Sequence, residues 1–276
     1  MQRVRVDGVE LEYQAEGTGE SVVLIHGGVL ADGLSPLACE PALAEHHRII
    51  SYHRVGSAGS SKAQRDVEIA DQAVHCRALL DHLEVEQAHV VGHSSGAMIA
   101  LQLAHDAPQH VATLALLELP DFQQPGSADS PRPGWPRRSS VTAVATRPVP
   151  WMPSCVASAD QAPGRRPSAP CQRGPSIGRR WTPTRSSQWK RRPPSAGGSR
   201  RQRPGSLRLY WWSMGALSPE VHRVYTEAHD AMLNRFPQAE PYLLPEAAHM
   251  LALDNPADLA AALANFIGRH PLNGQS

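Results

Sequence analysis

The chain has 276 residues and a formal net charge of +1, which suits one large domain or two small ones with a sizeable core. No apolar run approaches the ~20 residues that a membrane-spanning helix needs, and the N-terminus lacks the apolar segment of a signal peptide. The cysteines do not have the spacing of a zinc site. We therefore expect a soluble cytoplasmic protein without a metal site.

Residues 1–121 show regular strand and helix signals. Two alternating segments flank Asp7-Gly8, which is typical of a β-hairpin. Short aliphatic runs predict strands that are buried on both faces, and apolar side chains at helical spacing predict helices between them. The predicted elements are strands Arg3–Val6, Val9–Tyr13, Ser21–Ile25, Ala88–Val91 and Val111–Leu117, and helices Asp66–Leu83 and Ala97–His105. This alternation predicts an α/β fold whose parallel sheet is covered on both faces.

Residues 125–206 differ from the rest of the chain in composition. They hold 16 basic and 2 acidic residues and 15 of the 25 prolines, but no Leu, Glu, Tyr or His. Neither a strand period nor a helix period is visible, so the composition predicts a disordered or irregular segment. A basic segment of this kind is also typical of an arm that binds nucleic acid.

Regular signals return in residues 218–276. Ser218 can cap a helix that has Pro219 at its first position. Pro241–Leu244 predicts a strand, and Pro256–Ile267 predicts a last amphipathic helix. These elements extend the α/β pattern of the first part of the chain.

The segment Gly92-His93-Ser94-Ser95-Gly96 follows a predicted buried strand and precedes a predicted helix. A G-x-S-x-G sequence in this setting is typical of a nucleophile elbow, which presents a serine hydroxyl at a very tight bend. The positions two residues before and two after the nucleophile must be small. Gly92 and Gly96 satisfy this for Ser94, whereas Ser95 would have His93 and Ala97 there. The pattern therefore favours Ser94 as the nucleophile.

On these residues the chain resembles the α/β-hydrolase superfamily, in its single-domain esterase/peroxidase-like branch. Ser21–Gly28 is similar to the strand and oxyanion loop of that family. The resemblance implies an oxyanion hole made by the backbone N–H groups of Gly28 and Ser95. It also implies a general base on a late loop, and His249, in Glu246-Ala247-Ala248-His249-Met250, fits that position.

The acid of the triad is less clear from the sequence. The family usually places Asp after the strand that precedes Gly215, where this chain has Ser218. Some members carry the carboxylate after the previous strand, and Glu118 lies at that alternative position. We predict Glu118 as the acid that orients His249, with Asp121 and Glu220 in reserve.

The family also often has Asp where this chain has His53, before an Arg-x-x-Gly turn. That loop is structural rather than chemical. We therefore expect this departure from the family pattern to affect local stability and not the reaction.

The family has a mostly helical cap where this chain has residues 125–206, and frequent prolines exclude such helices. Tyr210-Trp211-Trp212 must be encoded by TAY-TGG-TGG, which read from the third base gives Leu-Val and a codon beginning with G. The same offset turns Pro150–Pro153 into an aliphatic residue or Met followed by Asp-Ala. We therefore favour a shifted reading frame over a disordered basic arm. The predicted domains are a core of 1–121 and 215–276, and a degraded cap or insert of 122–214.

Together these features predict a serine hydrolase that acts on an ester-type small molecule and needs no cofactor. Ser94 disfavours epoxide hydrolase and dehalogenase activity, because those members of the superfamily use an Asp nucleophile. Acyl transfer, C–C bond hydrolysis and perhydrolysis share the triad and stay open. The alternatives are a non-catalytic or inactive hydrolase-like protein, or a nucleic-acid-binding protein acting through residues 125–206. In the favoured interpretation the partner is a small molecule, not a membrane or nucleic acid.

Overall fold

A computed structural model describes residues 1–119, 210–221, 229–230, 232–234 and 236–272, with the side chains of 210, 220 and 221 left out. The described residues belong to one compact unit. The strands are β1 Gln2–Val6, β2 Val9–Glu16, β3 Glu20–Ile25, β4 His47–Tyr52, β5 Ala88–His93, β6 Val111–Leu117, β7 Tyr210–Gly215 and β8 Glu240–Leu244. The helices are α1 Ser35–Ala38, α2 Pro41–Ala44, α3 Ile69–His82, α4 Ser95–Asp106, α5 Ser218–Val221, α6 Leu251–Asp254 and α7 Pro256–Gly268, with a 3-10 turn at Pro108–His110.

The eight strands form one sheet in the order β1-β2-β4-β3-β5-β6-β7-β8. The pairs β1–β2 and β2–β4 are antiparallel, and every pair from β4 to β8 is parallel. Helices cover both faces, as predicted. Buried residues of α3 and α4 form a core on one face, and those of α1, α2 and α7 form a core on the other.

The local signals of the first 119 residues are confirmed with small shifts of boundary. Asp7 and Gly8, at φ of 46° and 79°, make the left-handed turn between β1 and β2 that a two-residue hairpin requires. Strand β3 is aliphatic and its last five residues are buried, which suits a strand covered by helices on both sides. Strand β4 was not predicted, because its sequence mixes polar and aliphatic residues.

Strand β7 carries two adjacent tryptophans, whereas the other parallel strands of the sheet centre are mainly aliphatic. Trp211 and Trp212 are each 3% exposed and point to opposite faces of the sheet, into different cores. Trp211 stacks on Tyr242 and Phe266, with ring centroids 5.3 and 6.2 Å apart. On the other face the indole N–H of Trp212 donates to His229. Each indole therefore has an aromatic or imidazole partner, which explains how this strand accommodates it.

The predicted insert lies almost wholly outside the described residues. The shifted reading frame and the division into core and insert therefore stay predictions. The predicted boundary falls inside β7, because all of this strand except its last residue was assigned to the insert. In the structure β7 pairs with β6 and β8 inside the sheet. Within the ranges described, every helix is too short or too polar to cross a lipid bilayer.

Candidate active site

Ser94 lies at the bend between β5 and α4, at the carboxyl end of a central strand. Its backbone has φ 53° and ψ −122°, in the left-handed half of the φ range that a residue with a Cβ rarely adopts. The Ser94 N–H donates to the carbonyl of Leu117 on β6 at 2.8 Å, which anchors the bend to the neighbouring strand. A strained backbone held by its surroundings at a bend is a common feature of reactive positions.

The two glycines of the bend are required by close packing. A Cβ on Gly96 would lie 2.1 Å from the carbonyl oxygen of Ile25, and one on Gly92 would lie 2.5 Å from that of Gly96. Both distances are far below van der Waals contact, so no larger residue fits without moving the backbone. The size argument used to choose Ser94 over Ser95 therefore agrees with the packing. The role of Ser94 stays a prediction.

The loop after β3 packs directly against this bend. A Cβ on Gly27 would lie 3.4 Å from the Cβ of Ser94, and one on Gly28 would lie 3.3 Å from the Oγ of Ser95. Among the described residues, the backbone N–H groups of Gly28 and Ser95 have no hydrogen-bond acceptor. Two free donors beside a serine are what an oxyanion hole needs, because they can bind the charge that develops on a carbonyl oxygen.

Buried polar groups hold this loop in place. The Arg54 guanidinium donates to the carbonyl of Gly27 at 2.8 Å, and the Arg54 backbone N–H donates to Nε2 of His26 at 3.1 Å. Burial lowers the pKa of Arg54 to about 10, so the guanidinium stays charged at neutral pH. Burial and, to a smaller extent, the nearby Arg54 hold the pKa of His26 well below its usual range. His26 is therefore a neutral acceptor for the Arg54 N–H.

His249 lies on the loop between β8 and α6. The loop is tied down by the N–H of Leu217, which donates to the carbonyl of Ala247, and by the N–H of Ala248, which donates to Asp254. A Cβ on Gly215 would lie 2.4 Å from the Ala247 carbonyl, so this loop needs glycine at the end of β7. The loop turns at Glu246, whose φ is 55°.

His93, the residue before Ser94, connects the bend to this loop. Its Nε2 lies 2.7 Å from the carbonyl oxygen of His249, and the two imidazole centroids are 4.9 Å apart. A carbonyl only accepts, so the proton of His93 is on Nε2. Burial and, to a smaller extent, His249 lower the pKa of His93 to about 3, so its ring is neutral at neutral pH. Ser94 and His249 are thus brought to the same edge of the sheet.

Glu118 follows β6 at a φ of 49°, and its carboxylate is fully buried. Its Oε1 accepts from the N–H of Gly215 at 2.7 Å and from the hydroxyl of Ser218. Its Oε2 lies 3.6 Å from Nδ1 of His249, whose side chain is 28% exposed. The structure therefore brings the Glu118 carboxylate next to the His249 ring, at a distance slightly longer than a hydrogen bond. The roles of both residues stay predictions.

The positions of the two reserve acids relative to His249 cannot be compared with that of Glu118. Asp121 lies outside the described residues. Glu220 is in α5, and its side chain is not described.

His53, the departure noted in the sequence, is bonded through Nδ1 to Glu12 at 2.8 Å and through Nε2 to Asp32 at 3.0 Å. This supports a structural role for its loop.

Two residues of the site escaped the sequence interpretation. Ser218 was noted as a possible helix cap and as the serine that replaces an expected Asp, but its hydroxyl bonds the carboxylate of Glu118. His93 was treated as the variable position of the G-x-S-x-G pattern, but it contacts His249. The first could have been found from the replacement itself, because a hydroxyl in place of a carboxylate can donate to one. Nothing in the sequence signals the second.

Comparison with known proteins agrees with this architecture. A family profile described as alpha/beta hydrolase fold matches residues 20–142, which include β3, the bend at Ser94 and β6. The chain has the α/β-hydrolase fold. The fold class predicted from the sequence is therefore confirmed.

Two solved structures extend the likeness of this α/β-hydrolase-fold protein to nearly its whole length. One is Est816, described as an N-acyl homoserine lactone degrading enzyme: 17% identity, TM-score 0.61, covering 96% of this chain and all of that one (100%). The other is a meta-cleavage product hydrolase from Pseudomonas fluorescens, with 15% identity and a TM-score of 0.63, covering 98% of each chain. At these identities the likeness shows the fold alone.

A curated relative is closer in sequence over a shorter span. It is the dihydrolipoyllysine-residue acetyltransferase component of an acetoin cleaving system from Pseudomonas putida, 39% identical over 106 residues. The match covers 38% of this α/β-hydrolase-fold protein and 28% of the relative. The matched segment thus spans less than a third of that relative's length.

Proposed function

We propose that this chain is a serine hydrolase that cleaves ester-type carbonyl compounds through Ser94, His249 and Glu118. The proposal rests above all on one observation: the residue before Ser94 bonds the carbonyl of His249, while Nδ1 of His249 faces the buried carboxylate of Glu118 at 3.6 Å. The strained bend at Ser94 supports it further, as do the N–H groups of Gly28 and Ser95, which have no acceptor in the described part of the chain.

In the proposed reaction the Ser94 hydroxyl attacks the substrate carbonyl carbon. His249 takes the hydroxyl proton on Nε2, since its Nδ1 faces Glu118, and the carbonyl oxygen becomes an oxyanion. The N–H groups of Gly28 and Ser95 donate to that oxyanion, an effect worth about 3–4 kcal/mol for a single donor. His249 then gives the proton to the leaving alcohol, and an acyl-enzyme ester forms on Ser94.

Water completes the cycle by the same steps in the same order. His249 takes a proton from water, whose oxygen attacks the acyl carbon and restores the oxyanion in the same two-donor site. When this second intermediate collapses, the carboxylic acid leaves and Ser94 recovers its proton. Through both halves the carboxylate of Glu118 stabilises the imidazolium and holds the ring in one orientation without becoming protonated.

A fluorophosphonate probe tests the proposal directly, because it forms a stable bond only with an activated serine. We expect the wild-type protein to be labelled on Ser94, identified by mass spectrometry, and Ser94→Ala to be unlabelled. Ser95→Ala is the matched control, since it removes a neighbouring hydroxyl but keeps the backbone donor. Equal labelling of wild type and Ser94→Ala, or no labelling of either, would contradict the proposal.

A further inference from the structure

His93 fills the space between three parts of the site. It is the last residue of β5 and is buried, with 4% of its surface exposed. On one side a Cβ on Gly27 would lie only 3.0 Å from its Nδ1, so the ring packs against the oxyanion loop. On the other side its Nε2–H donates to the carbonyl of His249 at 2.7 Å.

This hydrogen bond differs from the others that fix the loop of His249. The bonds at Ala247 and Ala248 tie the loop to Leu217, which follows β7, and to Asp254, which is the last residue of α6. The bond from His93 acts on residue His249 itself and comes from the residue next to Ser94. It is therefore a direct link between the nucleophile bend and the residue that carries the base.

We propose that His93 is a positioning residue that holds His249 at the distance from Ser94 needed for proton transfer. This inference rests on the proposed function and adds a residue to it. Proton transfer requires a heavy-atom separation of about 2.6–3.2 Å, and a displacement of about 1 Å can lower a rate about 100-fold. A neutral imidazole suits the task, because it donates one hydrogen bond and adds no charge beside the imidazolium that forms on His249.

A purely structural role for His93 makes a different prediction. If the ring only filled space in the core, its loss would lower stability and any side chain of similar size would serve. If the donated hydrogen bond positions His249, a side chain with a donor at the same reach will serve and one without it will not. Glutamine and methionine are both about as long as the distance to Nε2, and only glutamine carries an N–H.

The matched pair His93→Gln and His93→Met therefore separates the two roles. With p-nitrophenyl acetate as probe, we expect His93→Met to lose about 10- to 100-fold in kcat with KM within about twofold of wild type. We expect His93→Gln to recover to within about threefold of wild type, at equal thermal stability of the two variants. Equal losses in both variants, or a loss confined to KM, would overturn the inference.

A second measurement keeps this inference separate from the proposed function. In 15N-histidine-labelled Ser94→Ala protein, which cannot react, we expect a slowly exchanging imidazole N–H signal that His93→Met removes. If that signal is present but the wild type takes no fluorophosphonate, the link exists and the hydrolase proposal fails. If labelling succeeds but no protected N–H is found, the positioning role fails alone.

Discussion

The two sides of the candidate site are held in place by different means. On the nucleophile side, backbones approach so closely that Gly92 and Gly96 have no room for a Cβ. On the acid–base side, Glu118 and His249 are held mainly by hydrogen bonds that cross from one strand or loop to another. Substitutions of these two glycines should therefore affect folding, and substitutions of residues on the second side should affect the reaction.

The largest effect is expected on the acid–base side, from Glu118→Gln. The amide keeps the shape of the side chain but removes the charge that faces Nδ1 of His249, so the imidazolium of the transition state loses its counter-ion. We expect kcat to fall by about 10²- to 10⁴-fold, with little change in thermal stability. Steady-state hydrolysis of p-nitrophenyl acetate measures the loss.

The reserve acids supply the control for this prediction. Asp121→Asn and Glu220→Gln should leave kcat within about twofold of wild type. If one of them lost activity by orders of magnitude while Glu118→Gln did not, that residue would replace Glu118 as the orienting acid.

On the nucleophile side, Gly96→Ala should mainly affect folding. The added methyl group would lie 2.1 Å from the Ile25 carbonyl, in a place where two backbones are in contact. We expect a loss of about 3 kcal/mol or more in the free energy of unfolding, measured by urea denaturation. Gly268→Ala is the matched control, because nothing lies within 4 Å of its added Cβ, and at the end of α7 it should leave stability unchanged or raise it by up to about 1 kcal/mol. Equal stability of the two variants would show that the backbone at the bend can move enough to make room for the methyl group.

A smaller effect on the reaction is expected from Ser218→Ala. The change removes one of two donors to Oε1 of Glu118 but leaves the Gly215 N–H in place. We expect kcat to fall about 10- to 100-fold, which corresponds to about 1.5–3 kcal/mol for one lost hydrogen bond to a charged group. Ser213→Ala is a suitable control, because this serine is equally buried and its Oγ has no partner among the described residues. Ser213→Ala should retain full activity, and a loss equal to that of Ser218→Ala would remove the special role of Ser218.

The smallest expected effect concerns the pH dependence of stability at His53. Its ring lies between Glu12 and Asp32, and only the imidazolium can donate to both. These hydrogen bonds raise the pKa of His53 against the opposing effect of burial, the largest single influence on the ring. Arg54 and His26 also lie close to the ring but add no negative charge. The stabilisation is complete below about pH 6.5, the unfolded pKa, and is lost as the pH rises through the folded pKa.

The bond to His53 also lowers the pKa of Asp32, so the stabilisation is lost again as the pH falls below about 4. We therefore expect His53→Gln to cost about 1–2 kcal/mol between pH 5 and 6, and less at pH 9. Urea denaturation of both proteins at several pH values measures the difference. A cost that did not shrink at high pH would mean that His53 acts only through packing.

The difference between the two sides also explains what the sequence could predict. The bend at Ser94 is encoded within five consecutive residues, and its two glycines indicate directly that there is no room for a Cβ at those positions. Strands β3, β5 and β6 have aliphatic residues at most of their positions, as expected of strands whose two faces are both buried. These elements were therefore predictable from local patterns alone.

The acid–base side depends on contacts between residues far apart in the chain. The family resemblance gave candidates for the base and the acid, but which carboxylate faces His249 depends on the pairing of β6 with β7. The supporting bonds from His93 and Ser218 depend on the same tertiary arrangement. The two tryptophans of β7 could not be placed from the sequence for a similar reason, since their partners Phe266 and His229 lie on other elements.

Ser94, Glu118 and Glu246 have positive φ angles, which are unfavourable for residues with a side chain. At such positions the residue that gives the highest thermal stability can differ from the residue that the proposed reaction needs. The positive φ of each residue costs about 1 kcal/mol of conformational free energy, and glycine in its place would not have this cost. At Ser94 the substitution would remove the proposed nucleophile, and at Glu118 it would remove the proposed counter-ion of His249. Glu246 is different, because its side chain takes no part in the proposed chemistry. Of these three positions, it is therefore the one where glycine could raise thermal stability without removing a group of the proposed reaction.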